Sequence, residues 1–258
     1  MKIVRIHRLL MAAATVGLGA MGSAHAALTQ LDITYNQDWT GNITWFNSAN
    51  NTTTTDNNIL LTAFKATRMG GDLLPPPTSD PFYTFCMDIA PTLIASDWWK
   101  SGTFPLAGNA NGNSAPYVNG GVQRAASLYK AYVGGVDFSD VSHKREGAAL
   151  QLAIWEVLYE NGPYDVTSGT GFSIASASDA LITARANVML GSAANFADYN
   201  LTSTFWNATD SNGESILNQD LIGPQLPTGF VPEPGTCMAA ASVFAYLAAF
   251  GIRRARRS

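Results

Sequence analysis

The stretch AALQLAIWEVLYENGP (residues 148–163) reads as a helix that is apolar almost all round, with Gln151 near its middle. Ala148, Gln151, Leu152, Trp155 and Tyr159 follow the i, i+3, i+4, i+7, i+11 spacing of one helical face. Ala153, Ile154 and Val157 occupy the opposite face, so little of this helix meets water. Asn161-Gly162-Pro163 ends it, a glycine stop followed by a proline breaker. Its start falls near Ser142. A buried primary amide without a partner costs on the order of 1–3 kcal/mol. Gln151 needs one.

The segments around this helix set the fold class. Residues 28–89 read as strands: LDITY alternates, while NITWF and ILLTAFKAT are β-branched and aromatic. Turn-rich polar runs such as NSANNTTTTDNN (47–58) separate them, and GGDLLPPPTSDP (70–81) is a proline-stiffened loop. The strand FYTFCMDI (82–89) puts Tyr83, Phe85, Met87 and Ile89 on one face and Cys86 on the other, between Thr84 and Asp88. After a Gly/Asn loop at 107–121, VQRAASLYKAYV places Val122, Ala125, Ala126, Tyr129, Tyr132 and Val133 on one helical stripe. SDALITARANVML (178–190) is a further helix, and YNLTSTFW (199–206) can return as a strand. Strands, then helices, then a little more strand favour α+β over an alternating parallel fold.

The two ends read as sorting elements. Lys2, Arg5 and Arg8 precede a short apolar run, and Ala24-His25-Ala26 has the small-x-small pattern of a signal-peptide cleavage site, so 1–26 is expected to be removed. At the other end VPEPGT (231–236) precedes the apolar run 237–252 and an Arg-rich tail. Pro232-Glu233-Pro234, one apolar helix and terminal arginines resemble a PEP-CTERM sorting signal. That resemblance implies a Gram-negative producer of exopolysaccharide, a transient inner-membrane anchor at 237–252, and removal of the tail by an exosortase-type enzyme. An ectodomain of about 27–230 is left, at the cell surface or in the extracellular matrix.

Charge and cysteine usage narrow the function classes. Of the 15 Lys and Arg, three lie in residues 2–8 and four in 253–257; the remaining eight face 19 Asp and Glu between 27 and 236, a net charge of −11. Such a domain is a poor partner for nucleic acid. Of the two cysteines, Cys237 belongs to the C-terminal apolar run, so the exported domain keeps only Cys86 and holds no internal disulfide. A lone cysteine in an oxidising compartment is deeply buried, paired between chains, or chemically used.

Cys86 is a candidate partner for Gln151. A thiol and a side-chain amide condense with loss of ammonia to an internal thioester, an acyl electrophile opened by an amine or hydroxyl. FCMDIA (85–90) followed by LQLAIWEVLYE (150–160) resembles the paired motifs of bacterial thioester domains, the TQXA-type modules of surface adhesins. The resemblance implies a β-barrel-like or sandwich part with an inserted helical subdomain, spanning about 30 to 205. It assigns the sulfur to Cys86 and the acyl carbon to Gln151, with Ala153, Ile154 and Trp155 as the packing residues after the glutamine. Leu150 stands where the family has threonine. Asp88, Trp155 and Glu156 are candidate accessory residues. The implied partner is an extracellular polysaccharide or a surface protein bearing an amine or hydroxyl.

Two other readings stay open. The same fold without the bond is a passive adhesion module, with Gln151 hydrogen-bonded to backbone. A hydrolase would pair Cys86 with His143, the one histidine between 27 and 236; a histidine beside Lys144 and Arg145 at a helix start fits a solvated residue better, and the chain reads as not an enzyme. Metal clusters, phosphate loops, dinucleotide fingerprints and Gly-x-Ser-x-Gly are absent from the sequence, so no metal or cofactor is expected. Trp98 and Trp99 point opposite ways on a strand, which suits a core or loop anchor rather than a sugar platform.

Overall fold

Alternation of burial builds the first strand: Thr29, Leu31 and Ile33 are buried while Gln30 and Asp32 between them are half-buried. The same alternation buries Ile43 and Trp45 in the second. The computed structural model describes residues 28–35, 38–47, 51–71, 81–89, 93, 96–103, 117–134, 136–192, 204–209, 211–212 and 219–224. All fall in one unit, Ala26–Thr228. The strands are β1 (Leu28–Thr34), β2 (Thr40–Asn47), β3 (Thr52–Leu60), β4 (Phe64–Gly71), β5 (Phe82–Cys86), β6 (Ser96–Thr103), β7 (Phe172–Ala177), β8 (Thr204–Thr209) and β9 (Leu221–Gly223). The helices are α1 (Gly121–Val133), α2 (Val141–Tyr159) and α3 (Ala180–Gly191).

Six strands close a barrel in the order β1-β4-β5-β9-β8-β6, every neighbouring pair antiparallel. Closure satisfies strand edges that would otherwise be left open. A second, three-stranded antiparallel sheet has the order β3-β2-β7. The fold is therefore α+β, a barrel-like part with helices inserted between β6 and β8.

Helix α2 lies at the centre of the packing. Every residue from Gly147 to Glu160 is buried. Its Trp155 ring sits 6.4 Å from Phe172 of β7, and Tyr159 sits 6.1 Å from Trp45 of β2, so this face meets the three-stranded sheet. A Cβ at Gly121 would lie 2.6 Å from the Val157 carbonyl oxygen, so α1 starts against the backbone of α2 where only glycine fits. Ion pairs fix the other end: Lys144 to Asp38, Arg145 to Asp179, and Arg185 to Glu146, each at 2.8 Å.

The structure departs from the sequence reading at several elements. NSANNTTTTDNN was expected as turn, yet Thr52–Asn58 is strand, because β-branched threonines pair with β2 from Thr44↔Thr55 to Asn47↔Thr52. ILLTAFKAT divides at residues 61–63 into β3 and β4. FYTFCMDI ends as a strand at Cys86, and residues 87–89 bend away. β7 and β9 were not expected, and β8 and β9 carry the domain beyond 205, to Gly223 at least.

The membrane-spanning reading is corrected. Among the described residues no helix is long and apolar enough to cross a membrane. The run 237–252 itself lies outside them, as do residues 1–26 and the Pro232-Glu233-Pro234 motif. As a sequence, the 16 residues of that run fall short of the about 20 apolar residues that a spanning segment needs.

Candidate functional site

The end of β5 decides where Gln151 finds its partner. Along β5 the ladder to β4 runs through Ala66↔Phe82, Lys65↔Tyr83 and Phe64↔Thr84. By the same register Thr62 would face Cys86, but residues 61–63 have left the sheet. On its other side β5 pairs with β9 through Phe85↔Ile222 and Cys86↔Leu221, and Met87 N donates to Asp220 O at 2.8 Å. The N–H and C=O of Cys86 point toward the missing β4 residue, as the alternation of an antiparallel ladder requires.

Gln151 fills that gap. Its Oε1 accepts from Cys86 N at 2.9 Å, and its Nε2 donates to Cys86 O at 2.8 Å. The side-chain amide thus stands in for a strand peptide, exchanging both hydrogen bonds with one residue. Gln151 is fully buried and Cys86 is 2 % exposed, so both bonds are shielded from water. Cys86 is a free thiol. Burial first, and then the Asp88 carboxylate, push it well above the usual thiol range.

Both faces of β5 are covered here. Phe85 makes edge contacts with Tyr129, at 6.1 Å between ring centres, and with Phe138 at 5.8 Å. Thr84, on the Cys86 side of the strand, is fully buried too, as is Asp88 just past the strand end. The contrast between an apolar face and the Cys86 face is one of chemistry and not of exposure.

The accessory residues separate. Asp88 stays at the site: its Oδ1 accepts from Tyr117 Oη and its Oδ2 from Asp220 N, both at 2.9 Å. Tyr117 is half-buried, and desolvation of its phenol, with the charge of Asp88 next, raises it well above the usual range. Trp155 packs on β7, and its Nε1 has no partner among the described residues. Glu156 turns to the loop after α2, where its Oε1 accepts from Asp165 N at 2.9 Å and its Oε2 has no partner among the described residues. Burial is the main cause that pushes its carboxyl up to about 8. Neither Trp155 nor Glu156 hydrogen-bonds Cys86 or Gln151.

Three residues at the site escaped the sequence reading. Tyr117 ends the Gly/Asn loop, Asp220 precedes a three-residue strand, and Tyr159 was placed on the right face without its role. Its Oη donates to Met87 O at 3.3 Å. An isolated Tyr or Asp beside a loop carries no periodic signal that would have marked it.

The hydrolase pairing is not assembled. His143 is exposed, with its Nδ1 3.2 Å from Asp137 O, and no hydrogen bond joins it to Cys86 among the described residues. Trp99 is a core residue whose Nε1 donates to Gln219 O at 3.1 Å. Among the described residues no three His, Cys, Asp or Glu side chains group as metal ligands. Comparison with protein-family models, with curated proteins and with solved structures gave no match to this chain.

Proposed function

We propose that this chain is an exported cell-surface or matrix protein whose Cys86 and Gln151 close an internal thioester. The bond then couples the protein covalently to a partner bearing an amine or a hydroxyl. One observation carries the reading: the reciprocal pair of hydrogen bonds that seats the Gln151 amide on the Cys86 main chain in the buried core. Proximity of this kind turns a sluggish condensation into an intramolecular one. In the step, Cys86 Sγ adds to Gln151 Cδ, the Cδ–Nε2 bond breaks, and the thiol proton leaves with the nitrogen as ammonia. Negative charge gathers on Oε1 during addition, and the Cys86 N–H already points at that atom.

Export rests on the two ends, with an exosortase-type enzyme acting near Pro232-Glu233-Pro234 and an extracellular polysaccharide or surface protein as the acceptor. A passive adhesion module is the second reading, favoured by the fact that both Gln151 amide atoms are already satisfied by backbone.

Intact mass of the folded protein tests the proposal. The expected chain is lighter than its sequence by one ammonia. Methylamine then adds, freeing the Cys86 thiol and leaving Gln151 as its N-methyl amide, and Cys86→Ala abolishes both effects. Full sequence mass, with a thiol that titrates before any amine is added, leaves the passive module.

A further inference from the structure

The segment that follows Cys86 is tied down twice. Met87 N donates to Asp220 O at 2.8 Å, while Asp220 N donates back to Asp88 Oδ2 at 2.9 Å. Asp88 Oδ1 accepts from Tyr117 Oη, and the Tyr117 ring meets the Tyr159 ring edge-on at 5.7 Å. Val118 N donates to Leu158 O at 2.8 Å, so the chain at 117–118 is fixed to the last turn of α2. Tyr159, on that turn, also bonds Met87 O. Two routes therefore run from β5 to α2: the direct pair at Gln151, and a second through Asp88, Tyr117 and Tyr159. A fully buried carboxylate is costly unless its oxygens are hydrogen-bonded, and both Asp88 oxygens are.

Resting on the thioester reading, we infer that Asp88 is the positioning residue of the Cys86–Gln151 bond. Its carboxylate holds the Cys86–Asp88 turn in register with α2 so that sulfur meets the acyl carbon. Its charge, after burial, raises the Cys86 thiol and so disfavours the thiolate, which makes its contribution to closure one of position and not of activation. The proton then departs with the amide nitrogen.

The test uses the full chain and two variants. Asp88→Asn keeps the shape and an acceptor for Asp220 N–H, but removes the charge and forces Tyr117 Oη to turn from donor to acceptor. Tyr117→Phe keeps the charge and removes one tether. After refolding, the thioester fraction is followed by intact mass, alongside circular dichroism and the thermal midpoint. Methylamine-opened protein is then alkylated across pH. Asp88→Asn, once folded, closes about tenfold or more slowly, the scale on which small misplacements act. Its alkylation profile moves to lower pH, because a carboxylate charge is gone. Tyr117→Phe slows closure without that downward move, and decides the matter if Asp88→Asn does not fold. Closure at the wild-type rate in the folded variants, or slowing only in proportion to lost folded fraction, overturns the role of Asp88 while the thioester stands. Full sequence mass in the wild type overturns the thioester and this inference together.

Discussion

The two halves of the site carry unequal shares of stability, and the inequality is measurable without any thioester. Cys86→Ala keeps the N–H and C=O that Gln151 holds, so it deletes only a buried sulfur and costs about 1 kcal/mol, as for a methyl-sized deletion. In that background no bond forms, and Gln151→Met then removes the amide at nearly constant volume. Both Cys86 backbone groups, shielded from water, lose their partner. At about 1–3 kcal/mol for each of the two orphaned groups, the second substitution costs about 2–6 kcal/mol. Urea unfolding followed by tryptophan fluorescence reads this as a fall in midpoint at unchanged slope. A double variant within about 0.5 kcal/mol of Cys86→Ala would show that water or a shifted β4 satisfies Cys86. The stand-in for a strand peptide would then be refuted.

Trp155→Ala is expected to cost about 3–5 kcal/mol, because its ring is buried against Phe172 between helix and sheet; an unmoved denaturant midpoint would contradict that packing. Glu156 makes stability fall with rising pH. Its folded pKa of about 8 lies above the ordinary 4.5, so the native state holds a proton that the unfolded state has released. The contribution is full below about pH 4.5 and is lost as the pH rises to about 8. Glu156→Gln mimics the protonated acid, and its unfolding free energy relative to wild type is expected to grow across that window and level off above it. A difference that stays flat with pH would place Glu156 in water.

Helix α2 was legible because its periodicity, its Gly-Pro stop and its lack of a polar face all agree, and burial from Gly147 to Glu160 follows directly. β1 and β2 were legible for the same reason, since an alternating strand has one buried face. β7 was not: SGTGFSIASA has the composition of a loop and becomes strand through pairs such as Ile43↔Ile174 that lie far away in sequence. β9 is three residues long and is held by β5 and β8 alone, so no local pattern marks it. Thr52–Asn58 misled in the opposite way, because asparagine and threonine runs are read as turn until a neighbour offers a ladder.

The site shows the same division between what is local and what is not. That Gln151 needed a partner followed from one helix, and that Cys86 supplies it followed from two short motifs. That the partner is the Cys86 main chain depends on where β4 leaves the sheet, a consequence of the whole barrel's register. This detail changes the meaning of the unreacted state. An amide that merely filled space near a thiol would be free to turn away. Here Oε1 and Nε2 are both fixed, which holds Cδ in place and aims a backbone donor at the oxygen where charge gathers on addition. On the proposed thioester reading the hydrogen-bonded pair and the covalent bond would not be rival uses of Gln151. The first would be the arrangement from which the second forms, with closure set by how closely the Cys86–Asp88 turn holds the sulfur to it.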